Sequence, residues 1–468
     1  MAERTLTLVP RDGSKLNISN LPDDVLVRIL SFVPAEQALA TSILSKRWKS
    51  VWTLLPTLNL DFIQFSERFG NLSLDVRKRR FLEFVEHVLF LRNAEQLPNL
   101  RLAFNINEFK DYSLKLRLLV RSVMTSNCSA LDLDFPCRNV WCLLLLYPDN
   151  HEVYTLPRNC PALDLDFPCR NVWCLLLLYP DNHEVYTFPR CSFSPHKSVT
   201  NLTLTHCEFI PSLYKSFRSI KIVKLKSVRL GAGSVYDLVS KSPCLQELHL
   251  VTCEFRSSSF ELHVQESDLK CLVFQSCSCT DDIEFKSFSI NIPSLLQFKY
   301  VGCIEGPVLS ENGGSSLLTP FCNLKHLIVK VYPELVDEEL LGLMCLLRNT
   351  PCLEKLSVEF HPYIKEWKDT MISSVYNENG GTSLESHLLP SEGVSHLMKI
   401  DIKNFQGLKS EMGFVRIMLQ KSPRLKEMFL MNGIGEEHFH APQKQKDTAI
   451  QNLLACARVS PDAEIFLK

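Results

Sequence analysis

Downstream of residue 200 the chain is punctuated by short bursts in which apolar and polar residues alternate. Leu202-Thr-Leu204-Thr-His-Cys207 is followed by Leu248-His-Leu250-Val-Thr-Cys253, Leu272-Val-Phe274-Gln-Ser-Cys277 and Phe298-Lys-Tyr300-Val-Gly-Cys303. Alternation with period two predicts a short strand with one buried face. The cysteine three residues on behaves as a small hydrophobe, suited to packing beneath the turn that follows. Val223-Lys-Leu225, Leu327-Ile-Val329, Leu356-Ser-Val358, Ile400-Asp-Ile402 and Met428-Phe-Leu430 continue the ladder without the cysteine.

A second signal precedes several of these strands. Ser242-Pro243-Cys-Leu245 leads into Leu248, Thr350-Pro351-Cys-Leu353 into Leu356, and Ser422-Pro423-Arg-Leu425 into Met428, with Ile292-Pro293-Ser-Leu295 as a looser version. Helical patterns lie upstream of the first three, over 235–241, 340–349 and 414–421. Proline lacks an N–H and biases its predecessor away from helix, so each helix stops there and a strand begins. From Leu202 to Leu356 the ladders step by 21, 25, 24, 26, 29 and 29 residues. That period, built on apolar-x-apolar-x-x-Cys, is the signature of leucine-rich repeats, whose units must stack into a curved solenoid to bury their apolar faces. A β-rich domain with accidental periodicity is the competing reading, and the joint recurrence of strand, cysteine and proline weighs against it.

One repetition is of another kind. Residues 130–158 recur at 162–190 with a single difference, Leu156 against Phe188. Leu131-Asp-Leu133 and Leu163-Asp-Leu165 have the form of ladder strands, yet identity extends to surface positions that folding does not constrain. This points to a recent tandem duplication or a gene-model error, with one copy sufficient for folding.

The N-terminal stretch has helical rather than strand periodicity. Asn20 or Ser19 is placed to cap a helix with Pro22 in its first turn and Asp23 and Asp24 at the positive end of its dipole. Val25, Leu26, Ile29, Leu30 and Val33 form an apolar face, Pro34 ends it, and a second helix carries Leu44, Trp48 and Trp52 among Lys46, Arg47 and Lys49. So short a module cannot bury this many large apolar groups internally. The remainder either offers itself to a partner's groove or packs against the repeats.

"LPDDVLVRILSFVP" followed by "SILSKRWKSVW" resembles the F-box of plant proteins. Residues 397–430, "LMKIDIKNFQGLKSEMGFVRIMLQKSPRLKEMFL", are similar to the FBD region of plant F-box/leucine-rich-repeat proteins. The resemblance to this F-box/FBD/leucine-rich-repeat family implies an α/β fold. A small helical F-box over 17–62 would precede a leucine-rich-repeat solenoid over 75–375 and an FBD-type end over 385–468. It further implies docking onto the Skp adaptor, and through it a cullin, by Leu21, Pro22, Leu26, Ile29, Leu30, Val33, Leu44 and Trp48. The repeats would bind a target protein for ubiquitination.

Composition narrows the alternatives. A net charge of −1 over 468 residues provides no global field for nucleic acid or an anionic membrane. The densest apolar run, residues 140–147, is too short to span a bilayer. The start of the chain lacks the apolar core of a secretory signal, so a reducing nuclear or cytoplasmic setting is expected for the 18 cysteines. No CxxC occurs, and His438-Phe-His440 beside Glu436 and Glu437 reads as a polar loop rather than metal ligands. Arg77-Lys78-Arg79-Arg80 reads as a solvated helix start before it reads as a nuclear address. No nucleophile elbow, P-loop, HExxH or kinase motif is present, so catalytic residues and cofactors are expected to be none. Polar, glycine-containing stretches at 306–319 and 377–395 are expected to be loops or a hinge. Two other functions stay open at this stage: a leucine-rich-repeat scaffold acting outside a ligase, and a cysteine-dependent enzyme.

Overall fold

The computed structural model describes residues 18–92, 97–124, 128–135, 199–213, 217–279, 285, 287–302, 321–331, 342–344, 346–360, 394–405, 407, 409–431, 451, 453 and 456–467. They fall into two compact units, the first holding the described residues up to Asp134 with Val199, the second those from Thr200 onward with Phe135.

The first unit opens with three short helices, α1 (Asp23–Leu30), α2 (Ala35–Ala40) and α3 (Lys46–Val51). Leu26, Leu30, Ala38, Trp48, Val51 and Trp52 are buried and hold the helices together. The predicted cap by Asn20 or Ser19 does not form: Pro22 stands at the N-cap position, one residue before the helix, and no side chain caps it. The second predicted helix is broken. Ser45 is extended and accepts a hydrogen bond from the Trp48 amide at 3.3 Å, so α3 begins after it and Leu44 lies outside the helix, while Trp52 falls in a following 3₁₀ turn. A serine that can cap ends the continuity that four-residue spacing alone suggests.

Strands begin earlier than 75. The chain runs through β1 (Thr57–Asp61), α4 (Phe62–Arg68), α5 (Leu74–Arg92), β2 (Leu97–Ala103), α6 (Ser113–Met124) and β3 (Cys128–Asp134). The three strands are parallel, with Leu58, Leu100 and Leu131 in one row and Leu60, Leu102 and Leu133 in the next. Phe62, Phe81 and Phe109 meet edge to face at 5.3 and 4.7 Å beneath them. Arg77, from the basic run at the start of α5, donates to Ser66 Oγ at 2.7 Å and Lys78 is buried, so only part of that run is solvated. Of the duplicated segment, residues 130–135 are described and begin in β3. The rest, including the whole second copy, lies outside the described residues.

The second unit repeats one theme. Its strands, in chain order, are β4 (Asn201–Thr205), β5 (Glu208–Phe209), β6 (Ile222–Lys226), β7 (Arg229–Leu230), β8 (Glu247–Val251), β9 (Glu254–Phe255), β10 (Ser259–His263), β11 (Cys271–Gln275), β12 (Ser278–Cys279) and β13 (Ser287–Asn291). They continue with β14 (Gln297–Val301), β15 (His326–Val331), β16 (Lys355–Phe360), β17 (Lys399–Lys403), β18 (Glu427–Leu430) and β19 (Glu464–Leu467). β4, β6, β8, β11 and β14 through β19 pair in parallel, each with the next. Every ladder predicted downstream of residue 200 is one of these strands. The short β5, β7, β9 and β12 form a second parallel sheet.

Many of these strands are entered and left in a common way. A turn before the strand buries its first and fourth residues, and the fourth amide donates to the first carbonyl, as in Leu245 to Ser242 (3.0 Å), Leu353 to Thr350 (3.2 Å) and Leu425 to Ser422 (3.2 Å). The Ser242 hydroxyl donates back to the Leu238 carbonyl at 2.6 Å, ending helix α7 (Ser234–Ser240). After the strand the backbone turns left-handed at His206, Ser227, Thr252, Ser276 and Asn404. Non-glycine residues rarely adopt this conformation, and here its recurrence at one point of the repeat identifies it as architecture. The amides of Ser227, Thr252 and Ser276 donate to the last carbonyl of the next strand at 2.9, 2.8 and 2.7 Å, which locks neighbours in register.

Helices recur where expected at α7, at 342–344 and 346–348, and at α8 (Lys409–Lys421). Between them the parallel pair β10 and β13 stands instead. Phe260 and Phe288 on that pair stack at 5.0 Å and both pack against Phe274. The alternation Phe260-x-Leu262-x-Val264 and Phe288-x-Ile290-x-Ile292 carried this signal.

Leu248 and Leu250 are fully buried between neighbouring strands. Leu248→Ala is expected to cost about 3 kcal/mol, from lost transfer energy plus the residual cavity. Lys224→Ala, on the opposite face of the sheet, is expected to cost less than about 0.5 kcal/mol. Urea unfolding of the two variants beside the parent measures both.

Candidate functional site

The N-terminal helices sort their apolar residues onto two sides. Leu26 is 0% exposed, and Leu30 and Trp48 are also buried, so these three of the eight sequence-selected positions make the interior of the module. Leu21 and Val33 are half-buried, and Pro22 and Ile29 are exposed. Leu44 is 63% exposed because it lies in the link before α3 rather than on it. The face predicted for α1 therefore divides: Leu26 and Leu30 turn inward, and Val25 and Ile29, one helical turn apart, stay outside. Phe32 and Ile43, absent from the sequence-selected set, are the most open of all at 80% and 86%. Phe32 was legible as the next residue of the Val25–Ile29 stripe. Ile43 was not, because it sits in a 3₁₀ turn whose facing no helical period describes.

A charged clasp joins the first and third helices. Arg47 donates to the Asp23 carboxylate through Nε at 2.8 Å and Nη2 at 2.6 Å, and Nη2 also reaches the Leu21 carbonyl. The fork shape of the guanidinium suits this paired grip. It ties the Leu-Pro start of the module to the Lys-Arg-Trp helix, and Val25, Ile29, Phe32, Ile43 and Leu44 are among the large apolar residues exposed in this unit.

In the second unit the sheet's outward positions are mostly polar. From β15 onward, opposite charges answer each other across strands: Lys330 with Glu359 at 3.6 Å, Lys355 with Asp401 at 2.8 Å, and Lys399 with Glu427 at 2.9 Å. Lys399 Nζ also lies 4.4 Å from the Phe429 ring centroid, and Phe429 stacks on Phe466 at 4.8 Å. Two histidines share this face. Burial, and then the nearby Lys224, holds His249 below its ordinary pKa of 6.5. Burial, and then Lys355, does the same to His326, whose Nε2 lies 3.0 Å from Ser357 Oγ.

The ladder cysteines face inward. Cys207 and Cys253 are fully buried, and Cys253 Sγ contacts the Leu225 carbonyl at 3.4 Å. Cys277 Sγ contacts the Gln275 carbonyl at 3.4 Å, and burial followed by the neighbouring Cys253 pushes its thiol well above the usual range. A thiol so raised is a poor nucleophile. Cys303 lies outside the described residues, as do His438 and His440 and both glycine-containing stretches apart from Val394 and Ser395. Among the described residues no group of three or more His, Cys, Asp or Glu is placed to hold a metal ion, and no helix is long and apolar enough to cross a membrane.

Known proteins show the same two parts. The F-box domain family model matches residues 18–59, and the model described as the At1g61320/AtMIF1 LRR domain matches residues 171–313. The F-box/FBD/LRR-repeat protein At2g04230 of Arabidopsis thaliana is 46% identical over 87 residues, 19% of this chain and 19% of its own length. The F-box/FBD/LRR-repeat protein At5g56420 of the same plant is 36% identical over 133 residues, 27% of this chain and 29% of its own. The F-box/LRR-repeat protein At3g58940 is 24% identical over 453 residues, 88% of this chain and 64% of its own.

These matches support a place in the plant F-box/FBD/LRR-repeat family. The chain spans less than two thirds of the length of each of these relatives, and members of this F-box/LRR family are generally non-catalytic adaptors. The exposed Val25, Ile29, Phe32, Ile43 and Leu44 all lie within the F-box match.

The two histidines give a pH dependence with a definite sign. A depressed folded pKa means the native state binds fewer protons than the unfolded chain as pH falls through 6.5. Their stabilising contribution is therefore complete above that pH and is lost below it. Thermal unfolding between pH 7.5 and 5.5 is expected to show a falling midpoint, and the pair His249→Gln with His326→Gln is expected to flatten the fall.

Proposed function

We propose that this chain is the substrate-recognition subunit of a Skp–cullin–F-box ubiquitin ligase. The single observation that carries the reading is the coincidence of the F-box match at 18–59 with a set of exposed apolar residues. Large apolar side chains left in water beside a packed interior mark a protein-docking surface. On this reading Pro22, Val25, Ile29, Phe32, Ile43 and Leu44 touch the Skp adaptor, while Leu26, Leu30 and Trp48 act through them by holding the helices in place. Leu21 and Val33, both half-buried, lie at the margin.

The parallel strands support a leucine-rich-repeat solenoid, entered after the F-box of residues 17–62 and closed by an FBD-type end over 385–468. Its sheet face holds a target protein while the adaptor and cullin bring a ubiquitin-loaded enzyme. The chain contributes no catalytic group: the gain in rate comes from effective concentration and orientation. A nuclear or cytoplasmic location goes with this reading.

Co-purification with a plant Skp adaptor tests this. Ile29→Glu with Phe32→Glu is expected to weaken the complex by about 30-fold or more, the scale of an interface anchor, without changing the fold seen by circular dichroism. Leu26→Ala is expected to act differently, lowering stability by about 3 kcal/mol. A complex indifferent to the double substitution contradicts the assignment.

A further inference from the structure

The sheet face of the second unit does not distribute its charge evenly. Outward positions on β6 carry Lys224 and Lys226, and β14 carries Lys299. In register, Lys224 lies opposite His249, His249 opposite Val273, and Val273 opposite Lys299. At the strand entrances Lys221 and Lys270 flank Gln246, and the amides of Gln246 and Lys270 link them through the Lys221 and Gln246 carbonyls at 2.8 and 2.9 Å.

None of these five lysines has a carboxylate within ion-pair distance among the described residues. Lys299 donates instead to Gln275 Oε1 at 3.1 Å. The outward positions of β4, β6, β8, β11, β14 and β15 hold a single acid, Glu247, which faces His249 at 3.5 Å. This contrasts with β15 through β18, where acids and lysines pair. Lys224 and Lys299 both press the His249 pKa down, so their fields converge over the middle of the row.

Building on the reading that the sheet face holds the target, we propose that Lys221, Lys224, Lys226, Lys270 and Lys299 form a docking surface for a carboxylate-rich protein segment. Strands spaced about 4.8 Å apart put Lys224 and Lys299 roughly 14 Å from each other. An extended peptide covers that distance in about four or five residues. Alternating acidic side chains along such a segment meet lysines on both sides of the His249 row. Nucleic acid fits this surface less well. The aromatic rings of Phe274, Phe298 and Tyr300 point inward and are buried, which leaves no stacking platform among the lysines.

The test uses the full chain with its adaptor and three fluorescent twelve-residue probes: one rich in Asp and Glu, one neutral, and a single-stranded DNA. Anisotropy at low and high salt is expected to show binding of the acidic peptide over the neutral one, weakened by salt. Lys224→Glu with Lys299→Glu is expected to reduce that affinity at least tenfold, and the corresponding arginine pair to retain it. Equal binding of acidic and neutral peptides, indifference to charge reversal, or tighter binding of the DNA overturns the proposal. Adaptor binding measured on the same samples separates the two ideas. Loss of the peptide with the adaptor retained sinks this inference alone, whereas failure to bind any adaptor sinks the ligase reading.

Discussion

No repeat of this chain can bury its own apolar residues. A five-residue strand such as Glu247–Val251 carries two large ones, Leu248 and Leu250, and they leave water only when Val223 and Leu225 lie on one side and Leu272 and Phe274 on the other. That requirement fixes the parallel pairing, the shared register and the left-handed turn at Ser227, Thr252 and Ser276. It places no demand on the alternate positions. Their side chains face away from the core, and their chemistry is free to serve recognition.

Two surfaces of different physical character result. The N-terminal helices spend Leu26, Leu30 and Trp48 on their own interior and leave Ile29, Phe32, Ile43 and Leu44 in solvent. The apolar character of that surface suits a partner groove whose affinity comes from burial. The sheet face is polar and unevenly charged, with paired acids and lysines on its later strands and unpaired lysines on its earlier ones. Charge of that kind contributes association rate and selectivity more than raw affinity. The proposed role, with one constant partner and one recognised target, calls for both.

Much of this was legible in the order of residues, because the repeat writes its buried positions at a fixed period. The ladders from Leu202 to Leu430 could be read directly, and so could the turns at Ser242-Pro243, Thr350-Pro351 and Ser422-Pro423. A further copy at Ser460-Pro461, leading to β19, passes unread because Ala463 replaces the usual leucine. Leu58-x-Leu60 and Leu100-x-Leu102 pass unread because the helical module before them draws the eye to period four. At the candidate site, motif position identified the right helices but not which side of each faced water. A stripe of apolar residues on α1 has two flanks, and only packing of α1 against α3 and the turn that follows it decides that Leu26 is inside and Ile29 outside. The lysine cluster is invisible in sequence, since Lys221 and Lys299 are 78 residues apart and only strand register brings their segments to one sheet.

The division of labour between the two surfaces is most directly tested by hydrogen–deuterium exchange of the full chain with and without a plant Skp adaptor. The account predicts slowed exchange across α1 and the link containing Ile43 and Leu44, with β6, β8, β11 and β14 unchanged. Protection confined to those strands, with α1 exchanging as in the free protein, would contradict it.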